Sequence, residues 1–506
     1  MANEIEVKLV AEQLNIKAIK DIEFAGVVSQ DPWQISDLKN TYFDTANFKL
    51  RELKVGLRIR VDGERLIQTV KASGRAIGGL HERNESESDL DTFEIDVAKV
   101  DDPYLKILLE EALEDCGDFE PVFTTNFHRE RTALHFDDGT QIEMAIDVGH
   151  IYYEDDSSRI SEVELELVTG DASHLFKLSR QLITEHGFAI SNASKARRGY
   201  ALCSSLPVTH RRMSTTELSQ GTEAEKTFEI ICYAGLKHWQ YYEQFLDSSL
   251  AADAILQMYR ALLYITHVYH VFGALIPRHA TTDLRANWEW LSESMEPIVE
   301  SARKRQHLDQ LLSEGLVDEN VVADLLNASK AELKSHIEQF KAVLADSRYN
   351  LIMLGMSEWL FFKQWRKFIK ESEQDLLNQP IVKFASAQLE HTLKELKRVY
   401  GPKVKLDGQD YIEQTSLLRR ALDQGLFFGG LFDSKQRQQY RQPWLDLLAG
   451  SRELRFNEYA KQVFIDLDIK TEEDAEAWLD KRNESVFEAM EQTRKASFKS
   501  KPYWLR

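Results

Sequence analysis

Apolar and polar positions alternate with a period of two through most of residues 1 to about 203. The segments are "EIEVKLV", "LKNTYFD", "GLRIRVDGERLIQTVK", "LHERNESE", "TNFHRERTALHF", "TQIEMAIDVGHIYYE" and "SEVELELV". Such alternation puts successive side chains on opposite faces of an extended chain, so these segments predict β-strands. Asp62-Gly63 and Asp138-Gly139 fall between segments, where tight hairpins favour the positive φ of glycine. Short helical patterns intervene at about 101–115 and 171–187, the second with Asp171 as a candidate N-cap. Residues 204–222, "SSLPVTHRRMSTTELSQGT", have no periodic apolar face and read as a linker. From 223 the apolar spacing becomes three and four, as in "EAEKTFEIICYAGLKHWQYYEQFL" and "KAELKSHIEQFKAVLADS". Glycine and proline fall between such runs, as at Gly401-Pro402, and residues 223–506 read as an all-α bundle.

The polar faces of the strands are unusual. Glu4, Glu6 and Lys8 oppose Ile5, Val7 and Leu9. Arg58 and Arg60 share a face, as do Arg83, Glu85 and Glu87, and Arg129 and Arg131. Glu143 and Asp147 oppose Ile142, Met144, Ile146 and Val148; Glu162, Glu164 and Glu166 oppose Val163, Leu165 and Leu167. Any one segment is what a half-buried antiparallel strand with a solvated face looks like. The set is different, because its faces are sorted into acid-rich and arginine-rich strands. Three carboxylates on one strand face repel one another unless something positive sits among them.

If the strands close into a barrel with these faces inside, the lumen holds two clusters. One is acidic: Glu4, Glu6, Asp147, Glu162, Glu164 and Glu166. The other is basic: Lys8, Arg58, Arg60, Lys71, Arg83, Arg129 and Arg131. The apolar faces then point outward and need cover from helices. A lumen of this kind suits a multivalent anion held by Arg and Lys, with divalent cations bridging it to the carboxylates. All-oxygen ligation favours Mg²⁺ or Mn²⁺ over Zn²⁺.

Composition narrows the picture. At 43% hydrophobic the 506-residue chain can build real cores. A net charge of -20 argues against a general nucleic-acid or membrane binder, so any anion site must be a local concentration of basic residues. Cys116, Cys203 and Cys232 fit neither a metal spacing nor a disulfide framework. The opening "MANEIEVKLV" has no secretory pattern and no stretch approaches a membrane span, so the expectation is a cytoplasmic protein.

These segments resemble the CYTH superfamily, the triphosphate tunnel metalloenzymes. "EIEVK" matches that family's E-x-E-x-K signature, and "GLRIR", "QTVK", "HER", "FHRER", "EMAIDVG", "EVELELVTGD" and "SKARRGY" follow in the family's order. The helical half resembles a CHAD domain, and the whole chain is similar to bacterial CYTH–CHAD inorganic triphosphatases. The resemblance implies an α+β domain built on an eight-stranded antiparallel β tunnel, followed by an all-α bundle. It implies that Glu4 and Glu6 help bind metal, with Glu164 and Glu166 as principal ligands and Glu162 beside them. Lys8 would contact phosphate, and Arg58, Arg60, Lys71, Arg83, Arg129 and Arg131 would clamp it. Lys195, with Arg198 nearby, would orient the reacting phosphate or water, making Lys8, Lys195 and Glu164 the catalytic set. Two ions are implied, one on the triphosphate and one activating water, and tripolyphosphate would yield pyrophosphate and phosphate.

Two other functions stay open: an adenylate cyclase, thiamine triphosphatase or nucleoside triphosphatase of the same superfamily, and a polyphosphate-binding module without catalysis. The triple acid argues against the last, since an anion receptor without metal gains nothing from carboxylates. In the helical half the basic pattern expected of CHAD is eroded. Arg260, His267, His270, Arg278, His279 and Arg285 remain, without the leading His expected near Gln257 or Met258. Arg419 and Arg420 remain in the second copy. Docking onto the tunnel is the leading role for this half, with longer polyphosphate as an open ligand. His267 and His270, and the aromatic run "EWLFFKQWRKF", read as packing.

Overall fold

A computed structural model describes residues 3–11, 16–203, 210–467 and 475–505. The chain divides into two compact units, Met1–His210 with Leu344–Phe362, and Arg211–Val343 with Lys363–Arg506.

Among the described residues the first unit carries ten strands: β1 (Asn3–Val10), β2 (Val27–Gln30), β3 (Gln34–Asp44), β4 (Val55–Asp62), β5 (Arg65–Ile77), β6 (Leu80–Leu90), β7 (Glu120–Phe136), β8 (Gln141–Tyr153), β9 (Asp156–Thr169) and β10 (Ala189–Ile190). Eight form a closed antiparallel ring in the order β1-β6-β5-β4-β3-β7-β8-β9, and β9 returns to β1. Closure rests on β1, which pairs Glu4 with Arg83 of β6 on one side and Lys8 with Glu164 of β9 on the other. The short β2 and β10 add to β7 and β1. Gly63 and Gly139 have φ of 60° and 84°, the left-handed backbone expected at the two hairpins.

The outward faces are apolar and covered. The helix Ser173–His186 lays Leu175, Phe176, Leu178, Leu182 and Ile183 on Val7, Leu9, Ile142, Met144, Val163 and Leu165. The helix Pro103–Cys116 lays Leu105, Leu109 and Ala112 on Val55, Leu57, Ile59 and Val70. Each fully buried aliphatic side chain contributes about 1.5–3 kcal/mol. The helices expected at about 101–115 and 171–187 are therefore the barrel's cover. The N-cap of the second is Ala172 rather than Asp171; Asp171 sits one residue earlier and accepts the Ser173 backbone N–H at 2.9 Å, in a local turn that leads into the helix.

One further cover element comes from far along the chain. Leu344–Phe362 lies inside the span read from sequence as the helical domain, yet it belongs to the barrel unit. Its helix Ser347–Phe361 buries Leu354 in the same core, accepts the Ile190 N–H on Asn350 Oδ1 at 2.9 Å and pairs Glu358 with Arg180. A Cβ at Gly78 would stand 2.2 Å from the Met353 carbonyl oxygen, so the turn before β6 tolerates only glycine against this helix.

The second unit is helical, with Thr282–Ser313 and Ser434–Asp466 its longest elements. Of the linker expected over 204–222, residues 204–209 lie outside the described residues. Its later part packs within this unit, where Thr216 N–H donates to the Leu426 carbonyl at 2.9 Å. The aromatic run from Glu358 is packing: Trp359 and Trp365 are buried, and Trp365 Nε1 donates to Glu225 at 3.0 Å. No helix among the described residues is long and apolar enough to cross a membrane.

Candidate active site: the charged lumen

Because neighbouring strands are in register, the period-two polar faces converge inside the barrel. Asp147 of β8 stands opposite Arg129 of β7 and Glu162 of β9, and Ala145 stands opposite Arg131 and Glu164. Oxygens of Asp147, Glu162 and Glu164 lie within 4.8 Å of one another. Three cations thread this triad. Arg129 grips Asp147 through Nε at 2.7 Å and a terminal nitrogen at 2.6 Å, and reaches Glu164 at 2.8 Å. Lys195 donates to Asp147 at 2.6 Å, to Glu164 at 3.1 Å and to Glu162. Lys8 donates to Glu162 at 3.2 Å and to Glu164.

The electrostatics follow from burial against pairing. Burial opposes the charge on Glu164, but Lys195, Lys8 and Arg129 outweigh it and hold the carboxyl well below the ordinary range. Burial likewise opposes Asp147, and Arg129 and Lys195 hold it low. The same contacts, acting against burial, keep Lys8 and Lys195 protonated, so neither can serve as a base at neutral pH.

Glu4, Glu6 and Glu166 form a second acidic group beside the triad. Lys71 donates to Glu4 at 2.7 Å and pairs with Glu85 at 3.0 Å; Arg83 stands 3.7 Å from Glu6. Lys8 and Arg83 hold Glu6 low against burial, but Glu4 and Glu166 are less well neutralised. Burial and then the charges of Glu4, Glu6 and Glu85 push Glu166 up to about 8, and burial raises Glu4 despite Lys71. Arg58 and Arg60 lie on the β4 wall, with Arg60 Nε on Asn40 at 3.1 Å and Arg58 facing the Tyr42 hydroxyl at 3.4 Å. Burial and the Arg58 charge bring Arg60 down to about 10. Arg131, an expected clamp, and Arg198, expected beside Lys195, lie away from the centre. The Arg131 side chain is 47% exposed at the rim, on Gln34 and Glu143, and Arg198 donates to Ser158 Oγ at 2.8 Å and stands 3.6 Å from Glu162.

One end of the lumen is apolar, which the charged-face reading did not anticipate. Leu38, Tyr42, Phe123, Phe127, Ile151 and Ile160 occupy the inward positions there and pack with Tyr200. Tyr200 sits on the helix Lys195–Leu202, capped by Ser194, whose first residue places Lys195 at the triad. Tyr200 donates to buried Asp44 at 2.7 Å. Sequence reasoning also passed over His81, two residues before Arg83 on the same face. It is fully buried, with Nε2 on the Ser191 carbonyl at 3.1 Å and Nδ1 toward Arg83. Extending the period-two frame by one step would have found His81, Asn40 and Tyr42.

The donor set fits a hard divalent cation. The triad offers only carboxylate oxygens, and Glu4 Oε2 and Glu162 Oε2 are buried without a hydrogen bond. Burial and then the neighbouring carboxylates raise Glu166, and a cation would relieve the second of these.

In the second unit, buried Asp423 binds Arg260 at 3.0 Å and His267 Nδ1 at 2.6 Å, so His267 is a satisfied packing residue as expected. Arg420 pairs with Glu395 at 2.9 Å. Arg419 is brought down to about 10 by burial and then by Arg452, Arg260, Arg303 and Arg455.

A closed antiparallel barrel with acids and bases sorted inside it, joined to a helical unit, defines a class. Residues 2–200 match the CYTH domain and residues 231–451 match the CHAD domain, so the chain is a CYTH–CHAD protein. Among known proteins it is 33% identical over 203 residues to the inorganic triphosphatase of Haemophilus influenzae. That alignment covers 40% of this chain and about half, 55%, of the relative's length. Solved structures similar to it include the CHAD domain from the plant Ricinus communis (17% identity, 58% of this chain and 98% of that one, TM-score 0.43). Another is a candidate adenylyl cyclase from Hippeastrum, described as having a dominant triphosphatase activity (19% identity, 41% of this chain and 100% of that one, TM-score 0.29).

Proposed function

We propose that this protein hydrolyses inorganic tripolyphosphate to pyrophosphate and phosphate inside its barrel, in a divalent-metal-dependent reaction. One observation carries the proposal. Asp147, Glu162 and Glu164 bring their oxygens within 4.8 Å in a lumen whose facing strands supply Arg58, Arg60, Lys71 and Arg83. Carboxylates and cations together suit a metal–polyphosphate complex, whereas either alone suits a simpler ligand.

Asp147, Glu162 and Glu164 would hold Mg²⁺ or Mn²⁺, and Glu4, Glu6 and Glu166 a second ion. Bound there, the metal supplies charge neutralisation and water activation. The chain's own residues do the rest. Arg131 at the rim meets the incoming anion. Arg58, Arg60, Lys71 and Arg83 hold its oxygens by charge-assisted hydrogen bonds, for which the guanidinium fork is suited. Lys8, Arg129 and Lys195 can pass from carboxylate to phosphate oxygens without leaving the site. Lys195 stays protonated and acts as a donor that orients the reacting phosphate. The apolar end excludes water behind it. Arg198 supports the Glu162 side of the site.

Purified protein is to be supplied with tripolyphosphate, ATP and thiamine triphosphate side by side in Mg²⁺, with EDTA controls. Phosphate release from tripolyphosphate that EDTA abolishes is the expected result. Preference for ATP with a cyclic product, or for thiamine triphosphate, moves the protein to another branch of its superfamily. Glu164→Gln should lower turnover by about 100-fold or more, while metal-free tripolyphosphate binding is unchanged or tighter. Normal hydrolysis by Glu164→Gln refutes the metal assignment.

A second reading is favoured by the Arg419 cluster, whose mutual repulsion would be relieved by an anion. Longer polyphosphate is the proposed ligand of the helical unit. Calorimetry on the full chain should show weaker binding of long polyphosphate by Arg419→Ala, with tripolyphosphate turnover unchanged.

A further inference from the structure

We propose that Phe127 is a positioning residue, whose ring holds Lys195 and Arg129 over the acidic triad by cation–π attraction. The inference rests on the triphosphatase reading for its kinetic consequence, but not for its structural content. Phe127 lies on β7, two residues before Arg129 and on the same inward face, and is 4% exposed. Lys195 Nζ lies 5.0 Å from its ring centroid and the Arg129 guanidinium carbon 5.6 Å. Both are inside the roughly 6 Å at which a ring quadrupole attracts a cation, and a desolvated site strengthens the attraction.

The surroundings make this more than proximity. In the β7–β8 register Phe127 faces Gly149, where a Cβ would stand 2.2 Å from the Asn126 carbonyl oxygen and 2.5 Å from Phe127 Cβ. Glycine is therefore required for β7 to lie this close. Four residues before Phe127 on the same inward face, Phe123 covers Gly199, where a Cβ would stand 2.1 Å from the ring. Phe123 also stacks on Tyr42 at 4.6 Å. The aromatic floor is thus fixed from both sides. The two cations that touch Phe127 arrive on different elements, Lys195 on a helix and Arg129 on a strand. Both bind Asp147 Oδ2, each at 2.6 Å. Two like charges on one oxygen repel each other, and one electron-rich ring within reach of both lowers that cost.

The experiment replaces Phe127 with mono-, di- and trifluorophenylalanine in the full chain. Fluorination weakens the negative face of the ring while nearly preserving its shape. Phe127→Leu is the accompanying variant that removes the ring. The first readout is independent of activity: the NMR shift of the Lys195 ε-methylene, displaced by the Phe127 ring current and assigned with Lys195→Arg. The second is the kcat and KM of tripolyphosphate hydrolysis. The expected result is a displaced Lys195 signal that is lost in Phe127→Leu. With it, kcat should fall stepwise with fluorination to a total of about 3- to 30-fold, KM moving little. A Lys195 signal unmoved in Phe127→Leu, or kcat independent of fluorine number, overturns the proposal. If the wild type hydrolyses no tripolyphosphate, the triphosphatase reading fails, and the Lys195 shift alone decides for or against Phe127. If Phe127→Leu does not fold, the same shift followed through the fluorinated series decides it.

Discussion

Glu166 and His81 share one lumen and are displaced in opposite senses by it. Glu166 is pushed up to about 8 from 4.5 by burial and by neighbouring carboxylates. The fold therefore prefers its neutral form, and that preference is fully present below pH 4.5 and lost as pH rises toward about 8. Glu166→Gln should raise the Tm of metal-free protein at pH 8 and flatten the fall in Tm between pH 5 and 8; an unchanged slope refutes the crowding. Mg²⁺ should also raise the wild-type Tm at pH 8 more than that of Glu166→Gln. His81 is held down at about 3 from 6.5, by burial and then by Arg83. Its contribution is present above pH 6.5 and lost as pH falls toward 3. A His81→Gln variant should lose less Tm between pH 6.5 and 4 than the wild type does.

At the scale of elements, the helix Lys195–Leu202 closes the apolar end of the lumen and carries Lys195 to the triad. Its seating depends on Gly199 under the Phe123 ring and on the Tyr200–Asp44 hydrogen bond. Gly199→Ala forces that ring or the helix to move, a cost of about 1–3 kcal/mol for overpacking. The measurement is paired: Tm should fall, and Cys203, buried at the end of the helix, should react faster with a thiol reagent. Slow Cys203 labelling alongside a lowered Tm means the ring moved and the helix did not. The strands were legible in the sequence because alternation is a local property, and the hairpin glycines marked two of their ends. The apolar end was not, because only strand register gathers Leu38, Phe123, Ile151 and Ile160, each in the inward frame of its own strand, at one end of the lumen.

At the scale of the molecule, the barrel is completed by a segment that follows it by more than a hundred residues. Residues 1–210 expressed alone should bind a hydrophobic dye and melt lower than the barrel in the full chain. The cause is that Phe176 loses the rings of Phe361 and Phe362, and the shared core loses Leu354. A peptide of residues 344–362 should restore Tm in trans, and failure to do so would make this helix dispensable. The sequence by itself determined the two periods, the strand faces, the sorting of acids and bases, and the resemblance that joins them. Those are properties of neighbours along the chain, where a side chain's face is set by parity. Only the tertiary structure decided which carboxylates converge. Asp147, Glu162 and Glu164 meet because β8 pairs β9 in one register, and Glu166, on the same face as Glu164, falls into a different group. Only the tertiary structure likewise placed Phe127 beneath two cations and Leu344–Phe362 on the barrel, because contacts across so many residues depend on closure of the ring and leave no periodic mark.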